Sequence, residues 1–102
     1  MTTKLPQIPT LYNKIAARII KQQEELIGSI AWTLARKVTG ITIAKTNTPE
    51  DVVIADTPKE VINSLVAVCE FIWGRLGKMQ CIEATADITR SMRTEDIPDS
   101  LK

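Results

Sequence analysis

Histidine is absent from the 102 residues. That one absence removes the Ser-His-Asp and Cys-His nucleophiles, the histidine general base, and nearly every familiar zinc, copper or haem site. Aromatic side chains are scarce as well: two tryptophans, one tyrosine and one phenylalanine. Base stacking of the kind that reads RNA needs more of them. The four glycines, Gly28, Gly40, Gly74 and Gly77, are scattered, and Gly74 to Lys78 follows no strand, so it does not read as a phosphate-binding loop. Tyr12 and Ser29 have no adjacent base to make either a nucleophile.

Long hydrophobic runs are missing too. The most apolar stretch, Val61 to Trp73, is interrupted by Asn63, Ser64 and Glu70 and falls well short of the roughly 20 residues that span a bilayer. Residues 1–10 hold one lysine, two prolines and no apolar segment, which predicts neither a secretory signal nor a transit peptide. A cytoplasmic protein without membrane contact is expected. Nor does charge of one sign dominate, with 13 basic and 12 acidic side chains beside 44% hydrophobic residues. This is the composition of one globular domain, not of a polyelectrolyte or a basic tail.

What is present is helical periodicity. Pro6 and Pro9 punctuate an N-terminal arm (1–10), and Thr10 can cap a proline-free run from Leu11 to Thr39 that closes at Gly40. On a continuous helical wheel Ile15, Ile19, Leu26, Ile30 and Leu34 line one side, widened by Ile20, Ile27 and Val38, with Lys14, Arg18, Lys21, Gln22 and Glu25 opposite. A second helix is announced by Thr57-Pro58-Lys59-Glu60, which has the form of a capping box with proline at the first helical position. Val61, Leu65, Val68, Cys69, Ile72, Leu76 and Met79 then repeat in phase, while Ile62, Val66, Phe71 and Trp73 spread apolar character round most of the circumference. Gly74 and Gly77 each weaken that helix by about 1 kcal/mol relative to alanine without stopping it.

Between the helices, Ile41 to Lys45 and Val52 to Ala55 are rich in β-branched residues and are separated by turn chemistry at Thr46 to Asp51. This predicts a short β-hairpin, with one extra helical turn at Thr48 to Asp51 as the rival. The fold expected is α+β and mainly helical: one helix-hairpin-helix domain over 11–93, followed by a frayed acidic tail over 94–102. Its two long helices would measure about 44 and 52 Å, against a radius of gyration near 13 Å for a compact chain of this size. An elongated protomer is therefore expected. A helix apolar nearly all round must be covered on two sides, so a homodimer with a four-helix arrangement is expected, with Leu65, Val68, Phe71, Ile72, Trp73 and Leu76 at its core.

Cys69 and Cys81, placed on one continuous helix, would stand about 18 Å apart along its axis. There they cannot bond to each other, and both read as inert core residues.

Three functional readings compete. The leading one is a non-enzymatic homodimeric interaction or regulatory module that also contacts another protein. Its anchor would be Trp32, which the helical wheel sets on the polar face with Arg36, Arg18 and Lys21, because tryptophan and arginine are enriched at binding hot spots; the alternative is that Trp32 packs on the aliphatic part of Arg36 or lies under the hairpin. The second is a small Mg²⁺-dependent enzyme or ligand-binding protein. Glu83, Asp87 and Arg90 fall where the apolar stripe had been: either the second helix runs past the end of the first and these are exposed pairs, or Glu24 and Glu25 complete an oxygen ligand set with Glu83 and Asp87. The third is weak nucleic-acid binding through the basic face of the first helix. It is disfavoured by the missing aromatics and by the charge split: residues 1–40 carry six basic and two acidic side chains, residues 41–102 seven and ten. No cofactor is expected under the leading reading.

Overall fold

Glycine backbone geometry, as much as hydrophobic spacing, decides where the helices stop. The computed structural model describes residues 8–43, 52–54 and 57–102, with side chains from Leu11 onward. Among these residues four α-helices and two strands succeed one another: α1 (Ile8–Ile27), α2 (Ile30–Arg36), β1 (Ile41–Ile43), β2 (Val52–Ile54), α3 (Pro58–Trp73) and α4 (Arg75–Thr89). Two 3₁₀ turns, Thr94–Asp96 and Asp99–Leu101, come after them. The chain is therefore mainly helical with a small antiparallel sheet.

The first long helix starts earlier than expected and is divided. It begins at Ile8 rather than after a Thr10 cap, because Pro9 falls in the first turn, where a missing N–H costs nothing. It then breaks at Gly28, whose φ of 80° is left-handed. The Gly28 N–H bonds the Glu24 carbonyl at 2.8 Å, and α2 starts two residues later. A left-handed residue redirects the chain and resets the helical phase, so a wheel drawn continuously through it misplaces the residues on its C-terminal side. Ile15, Ile19 and Ile20 are buried as expected, whereas beyond the break Ile30 is half exposed and Trp32 is buried; Leu26, at the end of α1 before the break, is half exposed as well. Beyond α2, Val38 is buried and Gly40, at φ 97°, turns the chain into β1.

The sheet pairs Ile41 with Ile54, Thr42 with Val53 and Ile43 with Val52. Period-two alternation puts Ile41 and Val52 inward and Thr42 and Val53 outward. The Ile54 N–H donates to Asn13 Oδ1 at 2.9 Å, which fastens the sheet to α1. The turn expected at Thr46 to Asp51 lies outside the described residues, as does most of the N-terminal arm.

The second long helix is divided as well. Pro58 opens α3 as expected, but the Thr57 hydroxyl makes no capping bond: its ψ of 67° lies off the extended backbone that aims such a side chain at the helix end. Helix α3 stops at Gly74 (φ 67°, ψ −147°), whose N–H bonds the Glu70 carbonyl at 2.7 Å. The chain then folds back as α4, which runs antiparallel to α1. Tyr12 reaches Asp96, Arg18 reaches Asp87 and Gln23 reaches Gln80. Two helical hairpins replace two rods, and the radius of gyration is 12.9 Å, the compact value and not that of an elongated protomer.

Residues 94–102, expected to fray, are packed. Leu101 and Pro98 are buried, the Tyr12 hydroxyl donates to the Asp96 carbonyl at 2.6 Å, and Ser100 bonds Asn63 Oδ1 through both its N–H (3.0 Å) and its hydroxyl (2.6 Å). Acidic composition hid two apolar side chains, Ile97 and Leu101, which join the core. No helix among the described residues is long and apolar enough to cross a membrane.

Candidate functional site

Of the two readings open for Trp32, exposed anchor or covered side chain, the structure shows the covered one. Trp32 is 1% exposed, turned inward by the phase change at Gly28. Of the residues grouped with it, Arg18 is committed to Asp87 Oδ1 (2.7 Å) and the Ala84 carbonyl (3.1 Å), and Lys21 to Glu24 Oε1 (3.0 Å). Arg36 remains at the exposed end of α2. The four residues do not make one binding surface.

The carboxylates are dispersed too. Glu24 is held below the usual carboxylate range, first by Lys21 and then by the Trp32 indole N–H, which approaches it without completing a hydrogen bond. Asp87 is likewise held low, chiefly by its bond to Arg18. Glu25 and Glu83 point to solvent. Among the described residues no three acidic or cysteine side chains converge on a point where a metal ion would sit. The ligand set expected from Glu24, Glu25, Glu83 and Asp87 is not assembled, because the break at Gly74 carries α4 onto a new azimuth.

The apolar residues of α3 divide in an informative way. Leu65 is buried within the chain's own core and Val68 is half-buried. Trp73, also half-buried, donates its indole N–H to Gln23 Oε1 at 2.7 Å. Phe71 is 92% exposed, and Ile72, Leu76 and Met79 are exposed beside it along the α3–α4 bend. Next to Phe71 a groove of about 540 Å³ opens between α2 and α3, walled by Leu34, Val38, Ala67 and Val68 with Lys37, Thr39 and Ser64 at its margins. A large uncovered aromatic adjoining an apolar groove is the feature of this surface that solvent alone does not explain.

No protein-family model matches the chain, and no curated protein or solved structure is similar to it. Function therefore rests on this geometry.

Two contacts fix the helices against one another, the first of them not anticipated from the residues. Gln23 is buried, and its amide accepts from Trp73 and donates to Gln80 Oε1 at 3.2 Å, joining α1 to both arms of the α3–α4 hairpin. Its place one turn after Ile19 on the apolar side of α1 was the available signal. The other is Gly77, where an added Cβ would overlap the Cys69 carbonyl. The glycines of Gly74 to Lys78 suggest close backbone approach, as for helices packing in a dimer, and the structure shows that approach within one chain, between the two helices of the hairpin.

Proposed function

We propose that this chain is a non-enzymatic helical interaction module that acts as a homodimer, its two copies meeting on the face around Phe71. The observation that carries the reading is the juxtaposition of the 92%-exposed Phe71 with the apolar groove between α2 and α3. A two-fold interface uses the same patch on both subunits, so that patch must be complementary to itself. A projecting ring and an apolar recess side by side meet that requirement: each Phe71 enters the other copy's groove against Leu34, Val38 and Val68, while Ile72 and Leu76 extend the contact. The commitment of Glu24 to Lys21 and of Asp87 to Arg18 favours this reading over the magnesium-dependent one.

Sedimentation velocity on the full chain tests it. The wild type should sediment as a dimer at micromolar concentration, and Phe71→Glu as a monomer with unchanged helical content. A wild type that stays monomeric throughout the micromolar range overturns the proposal, as does a Phe71→Glu variant that dimerises as the wild type does.

A further inference from the structure

The break at Gly74 has a chemical result on the far side of α3. Cys69 lies five residues before Gly74 and Cys81 seven after it. At 1.5 Å per residue the two stand only about 3 Å apart along the hairpin axis. In any helix the Cα–Cβ bond leans toward the N-terminus. On α3 this tilts Cys69 away from the bend, and on α4 it tilts Cys81 toward it, so the two side chains lean to the same level. Gly77, one turn before Cys81 on the same face, rests against the Cys69 backbone, so the helices are as close here as they can come. Both thiols are unpaired and buried in one cluster.

Each thiol is the largest influence on the other's titration: the contact lowers that of Cys69 and raises that of Cys81, which burial raises further. Their surroundings differ as well. Cys69 forms part of the wall of a void of about 20 Å³ between α1, α2 and α3, and Cys81 does not. A void of that size admits one water-sized molecule, the scale of the reacting end of a hydroperoxide.

We propose that Cys69 and Cys81 form a peroxide-oxidisable dithiol, in which Cys69 takes up the oxygen and Cys81 resolves it to a disulfide joining α3 to α4. The Cys69 thiolate attacks one oxygen of the hydroperoxide and the O–O bond breaks. The departing oxygen takes a proton and leaves as water or an alcohol, and Cys69 becomes a sulfenic acid. The Cys81 sulfur, losing its proton, then attacks the Cys69 sulfur. The S–O bond breaks, and the hydroxyl leaves with that proton as a second water. The thiols together lose two electrons and the hydroperoxide gains them. The product is a covalent staple across a contact that already exists.

Hydrogen peroxide is the probe. After treatment of the full chain, quenching, unfolding and alkylation, intact mass should show the loss of two hydrogens and no alkyl group. Non-reducing tryptic digestion should join the peptides 60–75 and 79–90. The oxidised protein should melt several degrees higher, and dithiothreitol should reverse the change. In Cys81→Ala the sulfenic acid should persist on Cys69 and be captured by a 1,3-dione, while in Cys69→Ala the Cys81 thiol should survive. Full alkylation of both thiols after peroxide overturns the proposal, as do a link between two copies and a sulfinic acid on Cys69 beside a free Cys81. Equal oxidation of Cys81 in Cys69→Ala overturns the assignment of roles. The wild-type mapping decides the disulfide even if neither variant folds.

Discussion

Gly28 and Gly74 perform the same backbone operation on the two halves of the chain, with opposite results. Each has a positive φ, and each has open space where a Cβ would stand, so conformation and not crowding requires glycine at both. After Gly28 the reset phase takes a tryptophan out of water and into the core. After Gly74 it leaves Leu76 and Met79 exposed and brings two thiols together inside. A left-handed residue has no preference for burying or exposing the next segment of helix. The tertiary neighbours decide, and α2 finds a partner in the core where the start of α4 does not.

The largest expected effect measures what the first break achieves. Trp32→Ala should cost about 3–5 kcal/mol, as for other buried aromatics, whereas Met79→Ala, on the exposed side of the second break, should stay within about 0.5 kcal/mol. Urea melts compare them, and equal losses would erase the contrast. Next in size are the glycines themselves. Gly74, with φ 67° and ψ −147°, sits near a region open almost only to glycine, and Gly74→Ala should cost about 1–3 kcal/mol. Gly28→Ala should cost nearer about 1 kcal/mol, the ordinary penalty for a left-handed residue with a side chain. The reverse ranking in thermal melts would mean that the bend at Gly74 tolerates another backbone path.

An effect of similar size to that at Gly28 tests α1 before either break. The Tyr12 phenol titrates above its ordinary value, first because it is buried and then because Asp96 is close. The fold thus favours the neutral phenol. Its contribution is complete below about pH 10, the unfolded tyrosine value, and is lost as pH rises through the higher folded value. Tyr12→Phe should cost about 1 kcal/mol at neutral pH and should flatten the alkaline decline. A variant whose stability falls as steeply as the wild type above pH 10 would assign that decline to other groups.

The helical class, the strands at Ile41 and Val52, Pro58 as the start of a helix and the Ile15–Ile19–Ile20 core were all legible in the residues, because each rests on local periodicity or on a single backbone preference. Trp32 was not. The average cost of a glycine in a helix is small, and what mattered at Gly28 was its freedom to turn left-handed, which spacing does not report. The same blindness separated Cys69 from Cys81, which a straight helix holds far apart and a bent one brings face to face. The tail failed for another reason: Ile97 and Leu101 are too few to form a period, and what gives them a place is the core they pack on, with Tyr12, Lys59 and Asn63 bonding Asp96, Glu95 and Ser100 around them. Of the surface candidates, Trp32 inherited the error in phase, whereas Arg18, Lys21 and Glu25 lie on α1 before either break and are exposed as the wheel places them.

Gln23 gives the assembled helices something that apolar packing withholds. Greasy surfaces tolerate slippage, since one branched side chain fits nearly as well where its neighbour stood. A buried amide that receives from Trp73 and gives to Gln80 does not. Sliding α1 by one helical turn, about 5.4 Å, would strand the amide, the indole N–H and the Gln80 carbonyl, each left without its partner at a cost of about 1–3 kcal/mol when buried. One glutamine thus indexes α1 against the hairpin and leaves the bundle a single registration.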